Sequence, residues 1–234
     1  ILDSLKEFLA RMRLSRQVFE EWGMERVATT SRGIVALFEG PPGTGKTMVA
    51  GALARELGIE LFRVDLSRVM SKWIGETERN LANVFAAAEE CQALMLFDEA
   101  DSLFTKRTEV KSSNDRYANL EVNYLLQRME TYNGITLLAT NLEQGIDEAF
   151  KRRVRFTIQF EIPEPPVRAA LWKSMFPAES RVAPDVDWAR LGDRFEMSGG
   201  YIKKAAVRAA ARAMDRGLDA TITGADLDLA AQLE

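Results

Sequence analysis

The stretch Gly40-Pro41-Pro42-Gly43-Thr44-Gly45-Lys46-Thr47 decides how this chain is read. It fills every fixed position of the template G-x-x-x-x-G-K-[ST], in which glycines let backbone N–H groups face a phosphate and the lysine neutralises the outer ones. Just before it, Ile34-Val35-Ala36-Leu37-Phe38 reads as a buried strand, and just after it Met48 to Leu57 reads as a helix. Strand, loop and helix in this order are the context that the template requires. A helix N-terminus aimed at the loop adds partial positive charge where an anion would sit.

Downstream, the apolar run Leu94-Met95-Leu96-Phe97 ends in the acids Asp98-Glu99. Phosphoryl transfer needs positioning and charge neutralisation more than covalent help from a protein. The two segments together therefore predict a site for ATP and Mg²⁺. Gly40 to Thr47 and the following Met48 line the nucleotide, and Lys46 contacts the β- and γ-phosphates. The Thr47 hydroxyl and Asp98 hold the metal directly or through water. Glu99, one residue further on, orients and deprotonates the attacking water as a general base. The stretch Leu138-Ala139-Thr140-Asn141 ends another strand and delivers a polar amide to the same edge of the sheet, where open α/β folds bind ligands. Asn141 either holds that water or senses the γ-phosphate.

Composition narrows the alternatives. The 234 residues carry a formal net charge of −4, so no global basic field draws the chain to nucleic acid, and no nucleic-acid partner is expected. Cys91 is the only cysteine and histidine is absent, which excludes a disulfide framework and histidine-based zinc sites and points to a reducing, cytoplasmic setting. Cys91 itself, between a helix and a strand, is expected to be a small buried hydrophobe. No apolar stretch approaches the length of a membrane span and no signal-like opening is present. The chain begins at Ile1 without a methionine, which suggests a trimmed piece of a longer protein.

Helical stripes are expected over Leu2 to Met12 and Gln17 to Trp22, and Thr29 to Gly33 is a polar break. Beyond the phosphate loop the pattern alternates: strand Leu61 to Asp65, helix Glu76 to Glu90, strand Leu94 to Phe97, helix Tyr117 to Tyr132, strand Ile135 to Ala139 and strand Phe156 to Phe160. Alternation implies right-handed crossovers and an α/β fold, a parallel five-stranded P-loop sheet with helices on both faces. Past Pro163, Pro165 and Pro166 the pattern is purely helical: Arg168 to Met175, Trp188 to Phe195, Tyr201 to Met214 and Gly224 to Leu233. Residues 1–162 are thus expected to form the nucleotide-binding domain and 163–234 a small all-helical lid domain.

Gly40 to Thr47, Leu94 to Asp101, Thr140-Asn141 and the cluster Lys151-Arg152-Arg153-Val154-Arg155 resemble, in order and spacing, the AAA clade of the AAA+ ATPases. The resemblance runs from about Phe19 to the end of the chain. It implies a homo-oligomeric ring, usually a hexamer, with ATP bound between neighbouring subunits. It also implies that Arg152 and Arg155 are arginine fingers reaching the γ-phosphate of the adjacent subunit's ATP, since a guanidinium lent in trans stabilises charge on the transferred group. The family usually has Pro-Gly between these arginines, where this chain has Arg153-Val154.

By the same resemblance Lys72-Trp73-Ile74-Gly75 is the first pore loop, whose apolar residues grip a polypeptide in the channel; packing of Trp73 in the core is the alternative. Phe104 to Tyr117 is then the second pore loop. Ser198-Gly199-Gly200 resembles the motif through which the lid approaches adenine and ribose, although a helix N-cap also explains Ser198. No arginine occupies the point in this lid helix where many relatives outside the clade carry one; Lys203 is the nearby cation. Within the clade, Glu109 to Glu130 is similar to bacterial stand-alone members, including those accompanying contractile injection particles. These features imply a protein-remodelling ATPase with a polypeptide substrate. A nucleic-acid motor or loader, and a nucleotide-gated assembly scaffold, are the competing readings.

Overall fold

The computed structural model describes residues 2–16, 21, 33–66, 76–101, 113–142, 150, 152–217 and 219–234. They fall into two compact units, Ile1–Gly40 with Lys46–Phe160, and Pro41–Gly45 with Glu161–Glu234.

The first unit contains α1 (Leu2–Arg16), β1 (Ile34–Glu39), α2 (Lys46–Leu57), β2 (Leu61–Asp65), α3 (Glu76–Cys91), β3 (Leu94–Asp98), α4 (Ser113–Thr131), β4 (Ile135–Thr140) and β5 (Phe156–Gln159). The five strands pair in the order β2-β3-β4-β1-β5, and every pairing is parallel. This is the parallel sheet that the alternating pattern predicts. Each central strand feeds both faces. On β3, Met95 and Phe97 pack with Val35, Leu37, Leu81, Phe85 and Met129, while Leu94 and Leu96 pack with Phe38, Ala50, Leu53, Leu137 and Phe8. Because Leu94, Met95, Leu96 and Phe97 are all 0 % exposed, β3 reads as an unbroken apolar run and not as an alternation. Burial of each such side chain contributes roughly 1.5–3 kcal/mol.

Tyr132, just beyond α4, ties one of these layers together. Its hydroxyl is shared between the carbonyls of Ala93 and Ala88, the latter at 3.3 Å. Burial pushes this phenol up to about 12. Cys91 departs from expectation, because it is exposed. The buried stripe of α3 runs through Thr77, Leu81, Phe85 and Ala88, after which the chain turns at Gln92 (φ +50°) and Ala93 takes the next buried position.

The second unit carries α5 (Pro165–Ser174), α6 (Trp188–Arg194), α7 (Gly199–Asp215) and α8 (Gly224–Gln232). Its core gathers Trp172, Leu191, Leu227 and the α7 stripe Ile202, Ala205, Ala206, Ala209 and Ala213. Two prolines open α5, where a missing N–H costs nothing. A capping box opens α8: Thr223 accepts from the Asp226 N–H, and the Asp226 carboxylate accepts from the Thr223 N–H at 2.9 Å. The Arg216 guanidinium bonded to Asp226 holds that carboxyl well below the usual carboxylate range.

Candidate functional site

The strand β1 delivers the chain to the glycine loop, and the loop's backbone is built for it. Gly40, Gly43 and Gly45 have φ of +140°, +77° and +100°, values that side chains rarely tolerate. At Gly40 a Cβ would also lie 1.9 Å from the Phe160 carbonyl oxygen, so the turn is closed against the end of β5. Phe160 N–H donates to Glu39 O at 2.7 Å and fixes that approach. Within the loop, Thr44 Oγ1 donates to Pro41 O at 2.8 Å.

Lys46 opens α2 and is 7 % exposed. Its ammonium donates to Gly40 O at 2.6 Å and to Asn141 Oδ1 at 2.9 Å. The structure thus joins the loop lysine to the strand-end amide. Burial lowers the lysine's pKa, opposed by the charges of Asp101 and Asp98. Beside it, Thr47 Oγ1 donates to Asp98 Oδ2 at 2.9 Å, so the two residues read as a metal pair are in contact. A hydroxyl and one carboxylate form a hard oxygen set that suits Mg²⁺ sharing its remaining positions with phosphate oxygens and water. Among the described residues no group of three or more acidic or sulfur ligands forms an all-protein metal cage. The residues present therefore fit Mg²⁺ held together with its nucleotide.

Glu99 is exposed at the end of β3, with φ +54°. A left-handed backbone at a non-glycine residue costs free energy and concentrates at functional positions. Its N–H donates to Asp98 Oδ1 at 3.1 Å. Met48, the next residue along α2, is 74 % exposed.

Two residues outside the expected set also touch this site. Arg63 on β2 pairs with Asp98 Oδ2 at 2.8 Å. The register places Asp65 opposite Asp98 and Arg63 opposite Leu96, so Arg63 is the diagonal neighbour of Asp98 on one sheet face. A lone arginine in the apolar stretch Leu61 to Val64 was a visible signal, but its partner depends on strand order. Asp101, three residues after Asp98, accepts from the Thr140 hydroxyl and from Asn141 N–H.

The arginine cluster lies just before β5. Arg152 and Arg155 have exposed side chains, and Arg155 N–H donates to Val35 O at 2.9 Å. Arg153 instead forms an ion pair with Glu130 of α4 at 2.6 Å. In the helical unit, Gly200 N–H donates to Gly43 O at 2.8 Å, and a Cβ on Gly200 would sit 2.8 Å from Gly43 Cα. Gly199 and Gly200 open α7, and small size at Gly200 is what permits that approach. Ser198 occupies the N-cap without a side-chain capping bond, and its buried hydroxyl has no hydrogen-bond partner among the described residues. The predicted pore-loop residues Lys72, Trp73, Ile74 and Gly75 lie outside the described residues, as do Gln17 to Glu20, Trp22, Lys151 and most of Phe104 to Tyr117.

A family model described as "ATPase family associated with various cellular activities (AAA)" matches residues 36–164. The chain is 32% identical over 169 residues to vacuolar protein sorting-associated protein 4 of Dictyostelium discoideum, covering 70% of this chain and 38% of that protein. It is 33% identical over 188 residues to the proteasome-activating nucleotidase of Aeropyrum pernix, covering 77% of this chain and 46% of that protein. The chain thus spans less than half the length of these curated relatives. Among solved structures, the FIGL-1 AAA domain in complex with ADP superposes with a TM-score of 0.70 at 26% identity, covering 85% of this chain and 71% of the other.

Proposed function

The chain belongs to the AAA family of ATPases, and from that premise we propose that it hydrolyses ATP as the motor subunit of a ring that remodels a polypeptide substrate. One observation carries the ATP-hydrolysing part of this reading: Lys46 bonds Asn141 and its neighbour Thr47 bonds Asp98, two adjacent pairs at the carboxyl edge of a parallel sheet.

In this reading residues 1–162 form the nucleotide-binding domain and 163–234 the lid. Lys46 neutralises the β- and γ-phosphates, and the positive-φ loop Gly40 to Gly45 turns its amides towards them. Thr47 and Asp98 hold Mg²⁺, which when bound offsets charge on the phosphate oxygens. Glu99 takes the proton of the attacking water, and Asn141 positions that water or the γ-phosphate. Gly199 and Gly200 lend their backbone to the nucleotide's adenosine end.

Arg152 and Arg155 serve as the fingers that complete a neighbouring protomer's site in a hexameric ring. Their exposure supports that assignment, and the Arg153–Glu130 pair marks Arg153 as a strut for the segment. Lys72-Trp73-Ile74-Gly75 grips the substrate, a role supported by an aromatic and an aliphatic residue next to a glycine. None of the described helices is long and apolar enough to cross a membrane. With its lone thiol exposed, the chain is assigned to the cytoplasm. The stretch Glu109 to Glu130 supports a bacterial stand-alone branch, such as the members accompanying contractile injection particles.

The test is Trp73→Ala, with ATP turnover and unfolding of a tagged substrate measured on one preparation. Turnover should persist while unfolding is lost. Unchanged unfolding would end the threading account.

A further inference from the structure

We propose that Asp101 is a positioning residue for hydrolysis, clamping the end of β4 so that the Asn141 side chain stays on Lys46. The proposal rests on the reading of Asn141 given above. The ladder between β1 and β4 ends at the pair Glu39↔Thr140, so Asn141 N–H lies beyond it. Asp101 Oδ1 meets that N–H at 2.9 Å and also accepts from the fully buried Thr140 hydroxyl. Thr140 Oγ1 in turn accepts from Leu142 N–H at 3.1 Å, and Ala100 N–H donates to Ala139 O at 2.9 Å.

The chain following β3 is thereby stitched to the end of β4 by three bonds, two of them to the Asp101 carboxylate and one from Ala100 N–H, while Leu142 N–H holds the Thr140 hydroxyl from its own side. Bonds to an ionised acceptor are stronger than neutral ones, and they fix the backbone of the residue whose side chain meets Lys46 at 2.9 Å. Asp101 need not touch the nucleotide. Its role is to set where Asn141 points, and a displacement of about 1 Å there lowers turnover on the order of 100-fold.

The experiment compares Asp101→Ala, Asp101→Asn, Asn141→Ala and the double variant Asp101→Ala/Asn141→Ala in the full chain. It reads kcat and KM for ATP together with the hydrogen-exchange rate of the Asn141 amide. Asp101→Ala should lower kcat about as far as Asn141→Ala, and the double variant should match Asn141→Ala within about twofold, as expected for residues acting through one another. Asparagine keeps an acceptor oxygen for both donors, so Asp101→Asn should retain most of kcat and slow exchange at Asn141. Asp101→Ala should speed that exchange.

Wild-type kcat in Asp101→Ala would overturn the proposal. So would a double variant whose losses multiply, because Asp101 would then act independently of Asn141. If Asn141→Ala alone kept full turnover, the reading of Asn141 would fail first. The amide exchange does not depend on catalysis, and unchanged exchange in Asp101→Ala would remove the clamp by itself.

Discussion

Replacing Gly40 by alanine tests whether the phosphate loop owes its shape to close packing or to conformational freedom alone. Two penalties add at this position. The backbone has φ +140°, which an alanine rarely adopts, and the new Cβ would lie 1.9 Å from the Phe160 carbonyl oxygen. The carbonyl belongs to a residue whose N–H is already committed to Glu39 O at 2.7 Å, so relief requires moving β5 away from β1. Strained backbone costs about 1–3 kcal/mol and overpacking about 1–3 kcal/mol, so the sum is about 2–6 kcal/mol. For a chain of this size that lowers Tm by roughly 8–16 °C at the middle of the range.

Gly58 provides the control, since it has φ +68° and nothing within 4 Å of an added Cβ. Gly58→Ala bears only the left-handed backbone cost of about 1–2 kcal/mol. Calorimetric unfolding of both variants separates the two contributions. Gly40→Ala should unfold well below Gly58→Ala, and its ATP affinity should fall with the loop's displacement. Equal midpoints would refute the close-packing argument.

Other perturbations probe separate parts of the molecule. Lys46→Ala should weaken ATP binding in a fluorescent-nucleotide titration by at least about 2 kcal/mol, roughly 30-fold, because a charged hydrogen-bond donor to phosphate is lost; affinity within about twofold of wild type would remove the loop's assignment. Tyr132 has its pKa raised, so its contribution to stability is complete below the unfolded value near 10 and is lost as pH climbs through about 12. Tyr132→Phe should cost about 1 kcal/mol at neutral pH and flatten that alkaline loss, as urea titrations at several pH values would show.

Periodicity and turn chemistry made most of the sheet legible. Leu61 to Asp65 forms β2 over the expected residues, and Ile34, Leu94, Ile135 and Phe156 each begin the strand expected of them. Strand ends were less visible: Glu39, Asp98 and Thr140 extend theirs by one polar residue, because a parallel ladder continues into the acids and hydroxyls of the site. At α7 the helix begins at Gly199, two residues before Tyr201, since glycines with low intrinsic propensity are held there by tertiary contact with Gly43.

The motif residues were readable one by one because each has a local signature. Arg63 and Asp101 were not, because their partners Asp98, Thr140 and Asn141 become neighbours only once β3 lies between β2 and β4. Arg153 is a similar case. Its sequence marks a departure between two arginines, but the ion pair with Glu130 exists only where α4 and the start of β5 come together.

Glu99 carries the chemical step on which hydrolysis depends. Phosphate release and bound nucleotide should be measured together on Glu99→Gln, an isosteric change that removes the base and leaves Lys46, Thr47 and Asp98 in place. Turnover should fall by about 10²–10⁴-fold while ATP remains bound. Turnover equal to wild type, with ATP bound as before, would contradict the assignment of Glu99 and the single-site chemistry built around it.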